Sequence, residues 1–94
     1  MEKRIEHLGV LSEIHNGQVI LNFYEKDDFL YKRDGFHFDS ITVNDSQVIF
    51  LKKDDFQYII SLKEYPEYFI NDAFQHFFTL RNQTGKLDIY FPHN

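Results

Sequence analysis

The sequence predicts a mainly β fold of the α+β type: one small domain over residues 1–94, an antiparallel meander of about six strands with one helix near residues 66–80. Three observations carry that expectation. First, residues 47–62, QVIFLKKDDFQYIISL, read as a hairpin in which two apolar runs flank the charged turn Lys52, Lys53, Asp54, Asp55. In its second arm Phe56, Tyr58, Ile60 and Leu62 fall on one face and Gln57, Ile59 and Ser61 on the other, the period-2 pattern of a strand. Second, turn residues punctuate the chain at short intervals. Third, the chain carries 11 Phe and 6 Tyr, residues that favour pleated, half-buried surfaces.

Residues 4–12 (RIEHLGVLS) are expected to form the first strand, with Gly9 weakening it or marking a bulge. Asn16-Gly17 is a hairpin signal because both residues accept positive φ, so residues 18–24 are expected to return antiparallel to the first strand. A turn at 25–28, a short strand at 29–32 and a turn at 33–35 follow. Residues 36–43 (FHFDSITV) alternate but change face near Ser40, as a bulge or bend produces. Asn44, Asp45 and Ser46 form the turn before the 47–62 hairpin, and Pro66 ends that segment.

Two readings compete over residues 66–80. The doublets Phe69-Ile70, Ala73-Phe74 and Phe77-Phe78 recur every four positions opposite Glu67, Asn71, Gln75 and Thr79, which predicts an amphipathic helix. Propensity points to strands, since Phe, Tyr, Ile and Thr are indifferent helix formers. Periodicity outranks propensity, so the helix is the expectation, with a hairpin of 74–80 and 86–91 around an 81–85 loop as the alternative. Residues 86–91 (KLDIYF) form a last strand in either case, stopped by Pro92. The segments 18–31 and 47–58 share Gln-Val-Ile and Lys-Asp-Asp-Phe-x-Tyr; as a duplication they would place Asp27, Asp28, Asp54 and Asp55 at equivalent tips.

Composition narrows function. The net charge is −5 with no Lys/Arg cluster, so nucleic-acid binding lacks its electrostatic driving force. No apolar run reaches the roughly 18–20 residues of a membrane span. The charged start MEKRIEHLG has no apolar signal region, and the absence of cysteine excludes disulfides and thiol chemistry, so a cytoplasmic protein is expected. The lean toward Phe, Ile, Lys and Asn suggests a bacterial or phage source. The histidines form no HxxxH pattern, the serines no nucleophile motif and the glycines no phosphate loop, so no enzyme, metal or cofactor is expected.

A domain this small has limited interior, and each aromatic ring buries roughly 150–250 Å². Some rings are therefore expected at a contact with another molecule. The leading expectation is a non-enzymatic, acidic binding protein of the inhibitor, immunity or phage-antagonist type, partnered by another protein or by itself as a homodimer. Its aromatic anchors are sought at Tyr65, Tyr68, Phe69, Phe74 and Phe78, with Asp27, Asp28, Asp54 and Asp55 as a charged rim. The alternative is a small-molecule, nucleotide-like binding or sequestering domain that uses His37, Asp39 and Arg81.

Overall fold

The computed structural model describes residues 2–26, 28–71 and 77–92. Among these, nine strands form two antiparallel sheets. They are β1 (Glu2–Ile5), β2 (Gly17–Glu25), β3 (Phe29–Phe38), β4 (Ser40–Val43), β5 (Gln47–Leu51), β6 (Gln57–Ser61), β7 (Glu67–Asn71), β8 (Phe77–Arg81) and β9 (Gly85–Tyr90). The larger sheet runs β1-β7-β8-β9-β2-β3 and the smaller β4-β5-β6.

Alternation dictates which faces meet. In the larger sheet Phe78, Ile89 and Leu21 lie side by side on β8, β9 and β2, with Leu80 and Leu87 in the next row, and all five are buried. The smaller sheet presents Ile41, Val48, Phe50 and Ile60 to the same core. Edge-to-face rings knit the two: Phe50 meets Phe36 at 5.6 Å and Phe38 at 5.7 Å, and Phe91 meets Phe38 at 5.8 Å. A short 3-10 turn over Gly9–Glu13 lies against β4, and Leu8, Leu11 and Ile14 around it are buried.

The chain passes between sheets at Asp39. Phe38 is the last residue of the larger sheet and Ser40 the first of the smaller. The Asp39 amide donates to the Leu51 carbonyl at 2.7 Å, and its carbonyl accepts from Asn16. This corner is the face change that FHFDSITV signals near Ser40. The hairpin of β5 and β6 also stands where alternation places it, Ile49 opposite Ile59 and Phe50 opposite Tyr58.

Three expectations are corrected. Residues 66–80 contain no helix in their described part: β7 and β8 pair with Ile70 opposite Phe78 and Tyr68 opposite Leu80. The Phe-Ile and Phe-Phe doublets have helical spacing, but β-branched and aromatic residues with sheet neighbours on both sides gain more as strands. Ala73, Phe74 and Gln75 lie outside the described residues. Next, β1 does not pair with β2; it borders β7, with Arg4 opposite Phe69. Asn16 does take positive φ, but Gly17 does not, and it begins β2 opposite Phe38. Finally, the mainly β class holds, but as nine short strands in two sheets rather than a meander of six: residues 4–12 give way to a 3-10 turn after Ile5, residues 33–35 form no turn but continue β3, the 36–43 run divides at its corner, and the described part of 66–80 supplies two strands.

Candidate protein-binding surface

The β2–β3 ladder has one irregularity. Phe23 stands opposite Lys32 and Tyr24 opposite Leu30, which leaves Tyr31 as an extra residue on β3. Such a β-bulge breaks the alternation locally and redirects a side chain. The Tyr31 ring is 50% exposed, touches the Phe23 ring at 6.3 Å and lines a hollow of about 430 Å³ together with Tyr24 and Tyr65.

The rest of the hollow comes from the β8–β9 turn. The Asn82 side-chain oxygen accepts from the Thr84 and Gly85 amides at 2.8 and 2.7 Å, which fixes that turn. The Lys26 amide donates to the Thr84 carbonyl at 2.6 Å and ties the two hairpin ends together. Gly85 lies against the Tyr24 carbonyl, where a methyl group would overlap the oxygen, so only glycine lets β9 come this close. Lys86 sits over the Tyr24 ring at 4.9 Å, and Glu25 and Lys26 complete a charged rim. Partial burial raises the Tyr65 phenol above its ordinary pKa, and the neighbouring Tyr31 and Glu64 add to this.

A second groove, of about 310 Å³, borders the hollow through Tyr65. All five residues of β6 line it, and Phe23 and Lys32 form the opposite wall. Side chains of one strand alternate between faces, so a groove that touches five consecutive residues runs along the strand's backbone edge. Tyr58 anchors this edge to β3: its hydroxyl donates to Asp34 Oδ2 at 2.6 Å and its ring stacks on Phe36 at 5.0 Å. Burial first, and the Asp34 carboxylate second, push the Tyr58 phenol far above its usual range. Around both features the apolar surface is open: Phe29 is 63% exposed, Phe56 67% and Ile59 49%.

The residues singled out from sequence scatter. Tyr65 lies where hollow and groove meet. Tyr68 is half-buried beside Leu80 on the core side. Phe69 faces outward beneath the Arg81 guanidinium at 4.7 Å. Phe78 is buried in the core, because it shares the inward face with Leu80, so its ring offers no outer contact. Asp28, Asp54 and Asp55 are exposed on turns of different sheets, and among the described residues no three acidic or histidine side chains gather. Asp27 and Phe74 lie outside the described residues.

The proposed ligand trio is not one site. His37 and Asp39 line a shallow hollow with Lys53. Arg81 is aligned through Lys86 with Tyr24 on β2, whereas His37 is aligned with Gln18. That separates them by three strand spacings, roughly 14 Å, and by six residues along the strand, roughly 20 Å. Arg81 instead grips Glu2 with two bonds of 2.6 and 2.9 Å, clamping β8 to β1 across β7.

The outer face of the larger sheet holds a polar row. Thr79 and Asp88 are buried, and the Thr79 hydroxyl donates to Asp88 Oδ1 at 2.8 Å. Asn22 stands directly opposite Asp88, and its side-chain oxygen is buried without a hydrogen-bond partner among the described residues. Burial raises the Asp88 carboxyl above the ordinary carboxylate range, while the Thr79 bond and the Lys86 and Arg81 charges oppose it. Tyr24 and Tyr31 are the site residues that sequence reasoning passed over as anchors. The short strand expected at 29–32 includes Tyr31, but the bulge that sets its direction depends on β2, which carries no local signal for it.

Among the described residues no helix is long and apolar enough to cross a membrane. No known protein family, no characterised protein and no solved structure matches the chain.

Proposed function

We propose that this chain is a non-enzymatic binding protein that acts by covering the surface of a partner protein in the cytoplasm, as an inhibitor, immunity protein or phage antagonist does. The observation that carries the reading is the tyrosine-lined hollow. Three tyrosines from three parts of the chain, Tyr24, Tyr31 and Tyr65, converge on one concave surface. The exposed Phe29 ring lies two residues before Tyr31, and Glu25, Lys26 and Lys86 give the hollow a rim of mixed charge. Tyrosine is enriched at interface hot spots because it offers a large rigid contact and a polar tip. The acid excess, −5 overall, favours encounter with a basic partner surface.

The test is capture of the partner with the tagged full chain, its identification, and binding measured between the two purified proteins. Tyr31→Ala and Tyr65→Ala are expected to weaken that binding about tenfold or more each, the range of an aromatic anchor. Tyr31 is half-exposed, so its truncation is expected to leave the fold's melting temperature nearly unchanged. A purified partner that binds both variants as well as the parent chain overturns this reading.

A further inference from the structure

The two sheets have four edges, and three are guarded. At β1 the edge carries Glu2, Lys3 and Arg4. At β3 it carries Lys32 and Arg33 and is broken by the bulge at Tyr31. At β4 the 3-10 turn Gly9–Glu13 packs alongside. Charge, bulges and covering segments are the devices by which proteins keep sheet edges from pairing with other chains. The fourth edge, β6, has the sequence QYIIS, with no charge, no proline and no bulge, and an open groove beside it.

The direction of its hydrogen-bonding groups follows from the ladder. Leu62 donates to the Ser46 carbonyl and Lys52 to the Phe56 carbonyl, so the even-numbered residues Phe56, Tyr58, Ile60 and Leu62 turn their backbone groups toward β5. Gln57, Ile59 and Ser61 therefore present their N–H and C=O groups to the groove, and no described residue is bonded to these groups.

We propose that β6 is a homodimerisation edge, on which the β6 strand of a second copy pairs antiparallel about a two-fold axis at Ile59. This goes beyond the partner reading above and does not depend on the tyrosine hollow. Self-pairing in this register is complementary at every position. Ile59 meets its own copy, Gln57 meets Ser61, and Tyr58 meets Ile60, so polar lies against polar and apolar against apolar. The result is a continuous six-stranded sheet, β4-β5-β6 from each copy, with the exposed Ile59 side chains covered. The strand's own neutrality matters, because two copies of a chain at −5 repel, and charge within the edge would add to that repulsion.

The experiment is light scattering of the full chain during size exclusion, over a wide range of protein concentration. The parent is expected at twice the protomer mass. Ile59→Lys places like charges directly opposite each other at the axis and is expected to weaken the dimer about tenfold or more, with the circular dichroism of the fold retained. Two double variants, Gln57→Glu with Ser61→Glu and Gln57→Lys with Ser61→Lys, each set like charges opposite each other at both polar pairs and are expected to weaken self-association about fivefold or more. An equimolar mixture of the two variants sets opposite charges against each other at both pairs, so it is expected to form the mixed dimer. A parent chain that is monomeric at every concentration, or a mixture that associates no better than either variant alone, overturns the proposal. Tyr31→Ala is expected to leave the dimer intact, so failure here and failure of the partner reading are distinguishable.

Discussion

Asp88 and Asn22 stand opposite each other on adjacent strands, both on the outer face of the larger sheet. Thr79 satisfies one carboxylate oxygen, and the Asn22 oxygen has no donor among the described residues. A buried acceptor left unpaired is unfavourable, and so is a carboxylate held out of water. Because burial raises the Asp88 pKa in the folded chain, the folded state holds that proton more tightly than the unfolded chain does. This group's contribution to stability is therefore full at pH below the ordinary aspartate range and is lost as pH rises through the raised folded value. Asp88→Asn keeps the acceptor for Thr79 and supplies an amide N–H toward Asn22. It is expected to stabilise the protein at neutral pH by about 1 kcal/mol and to remove that part of the pH dependence. Urea denaturation at neutral and mildly acidic pH measures both effects.

At the scale of strands, the contact of β2 with β9 depends on one missing side chain. Gly85 lies against the Tyr24 carbonyl, and nothing flexible there can move aside. Gly85→Ala is expected to cost about 1–3 kcal/mol, as overpacking does, read as a lower urea midpoint with an unchanged slope. It is also expected to widen the tyrosine hollow, whose wall is this same pair of strands. The elements that were legible in the sequence are those whose evidence is local. The β5–β6 hairpin was readable because Phe56, Tyr58 and Ile60 alternate next to a charged turn, and the corner at Asp39 because Phe36 and Phe38 change phase with Ile41. The strands β7 and β8 were not, because Phe69-Ile70 and Phe77-Phe78 satisfy a helical period and a strand propensity at once. Their sheet neighbours decide between them: β1, some 65 residues away in sequence, beside β7, and β9 beside β8. Of the candidate site, Tyr65 was found from its aromatic surroundings, whereas Tyr31 acquires its direction from a register shift that no stretch of β3 encodes alone.

Across the whole molecule, one ring does most to join the sheets. Phe50 is fully buried and meets Phe36 and Phe38 edge to face, so it touches both the strand that leaves the larger sheet and the sheet that receives it. Phe50→Ala is expected to destabilise the protein by about 3–5 kcal/mol. Against the roughly 5–14 kcal/mol of a domain this size, that is enough to bring unfolding near ambient temperature in a chain at the lower end. A thermal melt checks it, and a loss below about 1 kcal/mol would mean the sheets are held apart from this cluster.

The strand order of the larger sheet sets a schedule for biosynthesis. The ninth strand in chain order occupies an interior place, between β8 and β2, with Tyr90 beside Ile20. A growing chain that has already produced β2, β3, β7 and β8 still holds them as two unjoined halves, each with a bare apolar margin. Contacts so distant in sequence form slowly, and such margins attract other chains. The hairpins of the smaller sheet pair residues close in sequence, while the larger sheet waits for residues 85–90. A message cut short before that point yields not a trimmed protein but one that its own synthesis has left unsealed.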